Sequence, residues 1–139
     1  MPNESTFVKL VKKHLPLEVD WQRIETGGTG TGIPDVNICY NGQEHWIEFK
    51  IVKGRSVDLS PMQIAWHSRR TKAGGRTWII ARHTFDGPRI GKGDRIYLWP
   101  GRCAKEVMQK GISYSETALG HYQWESPFPW PKIMEAILK

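Results

Sequence analysis

Residues 47–51 read IEFKI, an alternation of apolar and charged positions. Successive side chains of a β-strand point to opposite sides, so the pattern predicts a strand over about residues 45–51. Glu48 and Lys50 then share one face, while the apolar side chains on the other face join a core. A charged pair on the back of a buried strand is the first indication of a functional surface.

A second strand and a tight turn are predicted directly before this strand. Residues 34–40 read PDVNICY and precede Asn41-Gly42, a dipeptide that strongly favours a hairpin turn. The hairpin places Asp35 and Glu48 on adjacent strands. Upstream, residues 18–25 are also predicted to be extended, and the glycine-rich segment 27–32 is interpreted as a mobile edge of the site.

Helical periodicity dominates residues 3–15, where Asn3 can cap the first turn and Pro16 ends the helix. Glu4 lies on the apolar stripe of this helix, which we expect to face the sheet. The apolar members of that stripe are Phe7, Val8 and Val11.

A second helix is predicted from Ser60 to about Ala73, with Ser60 as its cap and Gln63 as the reciprocal capping residue. Gly74-Gly75 end it. The side chains predicted to face the core are Met62, Ala65 and Trp66. The polar stripe, predicted to face the site, consists of Gln63, His67 and Arg70.

The remaining segments complete a mixed α/β (α+β) pattern. They are a buried strand at 77–81, a glycine-rich basic loop at 87–93, a strand at 95–99, and helices at 102–110 and 131–138, with an aromatic, proline-rich stretch at 124–130. The order predicts a mixed central sheet flanked by helices, in which the second helix connects two parallel strands. We expect one domain over 1–139, with a core at about 3–82 and a C-terminal extension at about 94–139.

Composition narrows the class of protein. The 139 residues carry a formal net charge of +6, which suits a polyanionic partner without proving one. Two distant cysteines indicate neither a zinc site nor a disulfide framework. No apolar run is long enough to span a membrane, so we expect a soluble, cytoplasmic protein, in the host cytoplasm if it is encoded by a phage, with no membrane partner.

The motif Pro34-Asp35, followed by Glu48-x-Lys50, resembles the PD-(D/E)xK nuclease superfamily. Within it, the span GIPDVNICYNGQEHWIEFKIVKGR, followed by LSPMQIAWHSRRTKAGGRTWIIAR, is similar to the stand-alone VRR-NUC family of phages and bacteria, a domain that also forms the nuclease module of the Fanconi-associated nuclease. The similarity covers residues 32–82 and extends more loosely to Glu4. It implies a restriction-endonuclease-like core of order αβββαβ.

The motif residues suit phosphodiester hydrolysis, which requires an activated water and neutralisation of the charge developing on the phosphate. Asp35 and Glu48 offer hard oxygen ligands for Mg²⁺ or Mn²⁺. Lys50 is predicted to orient the attacking water or to stabilise the developing charge. The resemblance adds the main-chain carbonyl of Phe49 and the carboxylate of Glu4 as metal ligands.

Each of these residues also has an ordinary interpretation. Glu48 and Lys50 could form a surface charge pair, Asp35 could end a turn, and Glu4 could complement a helix dipole. Gln63 could serve only as a cap, although the resemblance places it close to the active centre. Taken together, in the order of the family, the residues favour a catalytic site.

Basic residues flank the motif and are candidate phosphate contacts or plain solvated surface. The candidates are Lys53, Arg55, His67, Arg69, Arg70, Lys72 and Arg76. The leading hypothesis is a Mg²⁺- or Mn²⁺-dependent DNA endonuclease, and the resemblance implies a homodimer that cleaves branched DNA such as Holliday junctions. A sequence- or mismatch-directed nicking endonuclease and a catalytically idle nucleic-acid-binding module are the alternatives, and residues 100–139 have no assigned role.

Overall fold

The computed structural model describes residues 2–24, 31–114 and 122–139. The helices in these ranges are α1 (Glu4–Lys12), α2 (Pro61–Lys72), α3 (Ala104–Lys110) and α4 (Trp130–Leu138). The strands are β1 (Asp20–Arg23), β2 (Val36–Tyr40), β3 (Gln43–Ile51), β4 (Arg76–Gly87), β5 (Gly91–Pro100) and β6 (Tyr122–Glu125). None of the described helices is long and apolar enough to cross a membrane.

The six strands form one mixed sheet in the order β1-β2-β3-β4-β5-β6. Neighbouring strands are antiparallel except β3 and β4, which are parallel and are connected by α2. A parallel pair needs such a crossover, because a tight turn can join only antiparallel neighbours. The predicted αβββαβ order and the mixed α/β class are therefore confirmed.

Both faces of the sheet are covered by helices. One core cluster joins α1 and α4 to the sheet face that carries Ile47 and Phe49, and the other packs α3 and the loop after β3 against the opposite face, with Ile79 and Trp99. The alternation of side chains along each strand separates the two clusters. Glu48 and Lys50 consequently point away from α4 and toward the start of α2.

Two C-terminal features differ from the prediction. The β4–β5 ladder continues to Gly87 and Gly91, so most of the predicted loop at 87–93 is strand. The aromatic stretch begins with a sixth strand, in which Tyr122 and Trp124 stack with ring centroids 5.4 Å apart and pack on the core. The alternation of aromatic and polar residues in the sequence YQWE was a signal for that strand.

The rotation of α2 about its axis also differs from the prediction. Met62 is 52% exposed and Ala65 is exposed, whereas Trp66 and His67 are buried. His67 is fully buried, and its Nδ1 hydrogen bonds to Thr77 Oγ1 of β4 at 3.0 Å. The prediction of His67 as a surface residue or DNA contact was wrong, since the tertiary partner on β4 could not be known from the helix alone.

Candidate active site

The β2–β3 hairpin brings the two motif acids side by side. Asn41 and Gly42 both have positive φ, 51° and 76°, as the predicted two-residue turn requires. The register pairs Val36 with Ile47, so Asp35 lies one step further along, next to Glu48. The hairpin prediction is confirmed, and its register is what joins the acids.

A third carboxylate reaches the same place from α1. Ligand oxygens of Glu4, Asp35 and Glu48 all lie within 4.8 Å of one another. The N-terminal end of α1 contributes Glu4 because Asn3 caps the helix there and the buried stripe of α1 packs on the sheet. The structure thus places together the three acids that the sequence indicated.

The acids differ in how they are held. Asp35 Oδ2 accepts a hydrogen bond from the Phe49 N–H at 2.8 Å, which fixes this carboxylate against β3. Glu48 is only 2% exposed, and its Oε1 has no hydrogen-bond partner within the described ranges. A buried carboxylate oxygen without a donor is costly, and a cation or a proton would relieve that cost.

Burial and like charge shift the ionisation of this cluster. Burial raises the pKa of Glu48 to about 10; the charge and a hydrogen bond of Asp35 act in the same direction, and Lys50 opposes them. Burial also raises the pKa of Glu4, opposed by Lys50. Because burial disfavours the ionised forms of Glu4 and Glu48, a divalent cation bound among these oxygens would offset that cost.

Gln63 connects the lysine to the start of α2. Its Oε1 accepts a hydrogen bond from Lys50 Nζ at 3.1 Å and another from the Ser60 N–H at 2.9 Å. Ser60 Oγ in turn accepts from the Gln63 N–H at 3.1 Å. Gln63 therefore caps α2 and also lies at the site, and its capping bonds fix the side-chain amide that accepts the hydrogen bond of Lys50.

The basic residues divide into two groups. Lys53 is exposed, and its charge and that of Arg23 oppose the burial that raises the pKa of Glu4, so both cations lie near the acids. Arg23 was not singled out in the sequence, where nothing linked the end of β1 to α1. Arg55 is exposed, and its carbonyl accepts the Ile112 N–H at 3.0 Å.

The other group lies toward the far end of α2, roughly 10–14 Å from Gln63 along the helix axis. There the Arg70 guanidinium lies over the rings of Trp46 and Trp66, 5.4 and 4.7 Å from their centroids. Lys72 is exposed in the last turn of the helix. The predicted polar stripe from Gln63 to Arg70 is thus interrupted by buried His67.

Phe49 lies between Glu48 and Lys50 on β3, and its ring is fully buried, with its centroid 5.3 Å from that of Phe7. Its N–H is occupied by Asp35, and the role of its carbonyl as a ligand stays a prediction. Of the predicted glycine-rich edge of the site, residues 27–30 lie outside the described ranges.

Gly32 is a site residue that the sequence analysis treated only as part of a loop. Its φ is +81°, and a Cβ there would lie 2.3 Å from the Met62 carbonyl oxygen. The chain leading to Asp35 can therefore pack directly on the first turn of α2. Only glycine permits both the conformation and this approach.

We expect Gly32→Ala to lower the free energy of unfolding by about 1 kcal/mol more than Gly54→Ala does, measured by urea denaturation. Gly54 is the matched control, because it also has positive φ (+64°) but no atom within 4 Å of a Cβ. Equal losses in the two variants would show that the contact with α2 contributes nothing.

Comparison with known proteins supports the fold. No protein-family profile and no curated protein sequence matches the chain significantly. Among solved structures, it is similar to Hjc of Archaeoglobus fulgidus, a Holliday junction resolvase from an archaeal hyperthermophile, with a TM-score of 0.51 and 13% identity over 96% of both chains. The likeness establishes the restriction-endonuclease-like fold class.

Proposed function

We propose that this chain is a Mg²⁺- or Mn²⁺-dependent DNA endonuclease of the VRR-NUC type. The observation that carries the proposal is the convergence of Glu4, Asp35 and Glu48 within 4.8 Å of one another, with the ammonium of Lys50 held on the same side of β3 by Gln63. An ordinary surface charge pair does not account for a buried Glu48 among like charges.

The donor set fits a hard divalent cation, since its side chains offer carboxylate oxygens, among them the Glu48 Oε1 that has no hydrogen-bond partner in the described part of the chain. Asp35, Glu48 and Glu4 would hold the ion, together with the carbonyl of Phe49. When bound, the ion would lower the pKa of a coordinated water and offset charge on the phosphate. Mg²⁺ and Mn²⁺ are the candidates.

The protein groups have distinct parts in this proposal. Asp35 is oriented by the Phe49 N–H, which holds its Oδ2 in place against β3. Lys50 supplies a positive charge beside the acids, where it would orient the attacking water or stabilise the charge on the phosphate. Gln63 positions that ammonium and would act through it.

Branched DNA is the proposed substrate. The similarity of the motif residues to VRR-NUC proteins supports this choice, and one solved structure of similar fold is a Holliday junction resolvase. Symmetric cutting of a junction needs two sites, so we propose a homodimer of chains that each form one domain. Lys53, Arg55, Arg70 and Lys72 are proposed phosphate contacts.

The test is incubation of a four-way DNA junction with purified protein and Mn²⁺, with EDTA and with Asp35→Ala as controls. We expect cleavage that requires both the metal ion and Asp35. Absence of cleavage, or equal cleavage by the Asp35→Ala protein, would contradict the proposal. Parallel incubations of nicked and plain linear duplexes separate junction cleavage from a sequence- or mismatch-directed nicking activity.

A further inference from the structure

A basic groove lies at the C-terminal end of α1. It has a volume of about 480 Å³ and is lined by Lys9, Lys12 and Lys13 on one side and by Trp21 of β1 on the other. The floor and rim are apolar and include Leu17, whose side chain is 100% exposed. The groove combines closely spaced cations with an aromatic wall.

Among the described residues, no acid forms an ion pair with the lysines of the groove. No acidic side chain lines it, and in the described part of the chain the ion pairs are Arg82–Asp94 and Arg95–Glu125, both elsewhere. Asp20 precedes Trp21, so the alternation of β1 directs it to the opposite face. Lys12 Nζ instead lies 5.8 Å above the Trp21 ring.

The groove is connected to the candidate active site by rigid elements. The helix that carries Glu4 at its start carries Lys12 eight residues later, about 12 Å away along the axis. The Trp21 ring lies 6.4 Å from that of Phe49, the residue whose N–H fixes Asp35. The same helix and the same aromatic contact therefore link the groove to the acids.

We propose that this groove binds the phosphate backbone of the DNA substrate a few nucleotides from the cleaved bond, an inference that rests on the proposed function. Lys9, Lys12 and Lys13 stand at i, i+3 and i+4 on one helix face, some 5–6 Å apart at their Cβ atoms. One DNA strand carries a charge about every 3.4 Å of axis, so 12 Å corresponds to roughly three to four nucleotides. The lysines act as flexible point charges, so their contacts carry no sequence preference.

The experiment measures binding of a fluorescent four-way junction in EDTA as a function of salt, for the Lys9→Gln/Lys12→Gln/Lys13→Gln protein. We expect at least about tenfold weaker binding at 0.1 M salt, and a slope of log K against log salt that is smaller by roughly 2 to 3. The single-turnover cleavage rate at saturating protein in Mn²⁺ should stay within about twofold of wild type, because no lysine of the groove belongs to the catalytic set.

The matched control is Lys105→Gln/Lys110→Gln/Lys139→Gln, which removes the same charge from exposed lysines on other elements. It also matches the ring contact, since Lys110 Nζ lies 5.9 Å from the Tyr114 ring centroid. We expect the control to change the slope by less than about half as much. Equal changes in the two triple variants would contradict the proposed role of the groove but not the proposed nuclease function. A wild-type protein that neither binds nor cuts DNA would contradict both proposals.

Discussion

Replacing Asp35 with asparagine is expected to lower the rate of DNA cleavage by about 1000-fold, equivalent to roughly 4 kcal/mol of barrier. The asparagine carbonyl can still accept the Phe49 N–H, a bond that measures 2.8 Å in the structure. The other ligand position then carries an NH₂ group, which donates hydrogen bonds and cannot bind a cation. The fold should therefore persist while the affinity for Mn²⁺ falls. Titration calorimetry measures the loss of affinity, and single-turnover kinetics measures the loss of cleavage rate.

Asp58→Asn is the control for this prediction, because Asp58 is an exposed acid in the loop between β3 and α2. We expect that variant to bind Mn²⁺ and cleave DNA as wild type does. If Asp35→Asn kept wild-type Mn²⁺ affinity, the assignment of Asp35 as a ligand would be wrong. If the Asp35→Asn protein kept its cleavage activity but lost affinity for Mn²⁺, catalysis would not depend on a metal ion bound by the three acids.

Replacing Glu48 with glutamine is expected to stabilise the metal-free protein. Burial next to Asp35 raises the pKa of Glu48 from 4.5 to about 10, so the folded state holds a proton that the unfolded state releases. At pH 8 the substitution should raise the free energy of unfolding by at least about 1 kcal/mol, or the melting temperature by roughly 3–5 °C. Differential scanning calorimetry in EDTA measures the gain.

The pH dependence has a definite sign. Between about pH 4.5 and 10 the folded protein binds more protons at Glu48 than the unfolded chain does, so this residue lowers stability as pH rises. In the Glu48→Gln protein, the free energy of unfolding should not show this decrease with rising pH. At saturating Mn²⁺ the wild-type protein should be more stable than the Glu48→Gln protein, because only wild type keeps the full ligand set and gains stability from binding.

Glu44→Gln provides the comparison, since Glu44 is an exposed residue of the same strand. We expect that variant to melt within about 1 °C of wild type at pH 8. Equal shifts for the two variants, or a Glu48→Gln protein less stable than wild type in EDTA, would show that folding does not raise the pKa of Glu48 in the metal-free protein.

Local sequence patterns predicted many of the strands, turns and helix caps, because these features depend on interactions between residues that are close in sequence. The alternation in β3, the Asn41-Gly42 turn and the Ser60 cap each depend on contacts within a few residues, and each is present as expected. The capping box even accounts for the position of Gln63. The full length of β4 was missed because its end pairs with β5 across a short hairpin that was interpreted as a loop. The existence of β6 was missed because this strand is stabilised by pairing with β5, a segment distant in sequence.

The sequence by itself determined the order of the core elements from α1 to β4 and the hairpin that joins Asp35 to Glu48. It also determined the face of β3 that carries Lys50, since a two-residue period leaves no other choice. Only the tertiary structure decided how α1 lies against the sheet, which brings Glu4 within reach of the other acids. It also decided that His67 is buried against Thr77 and that Trp21 stands beside Lys12. Such contacts join residues far apart in sequence, and packing of whole elements, rather than local preference, sets them.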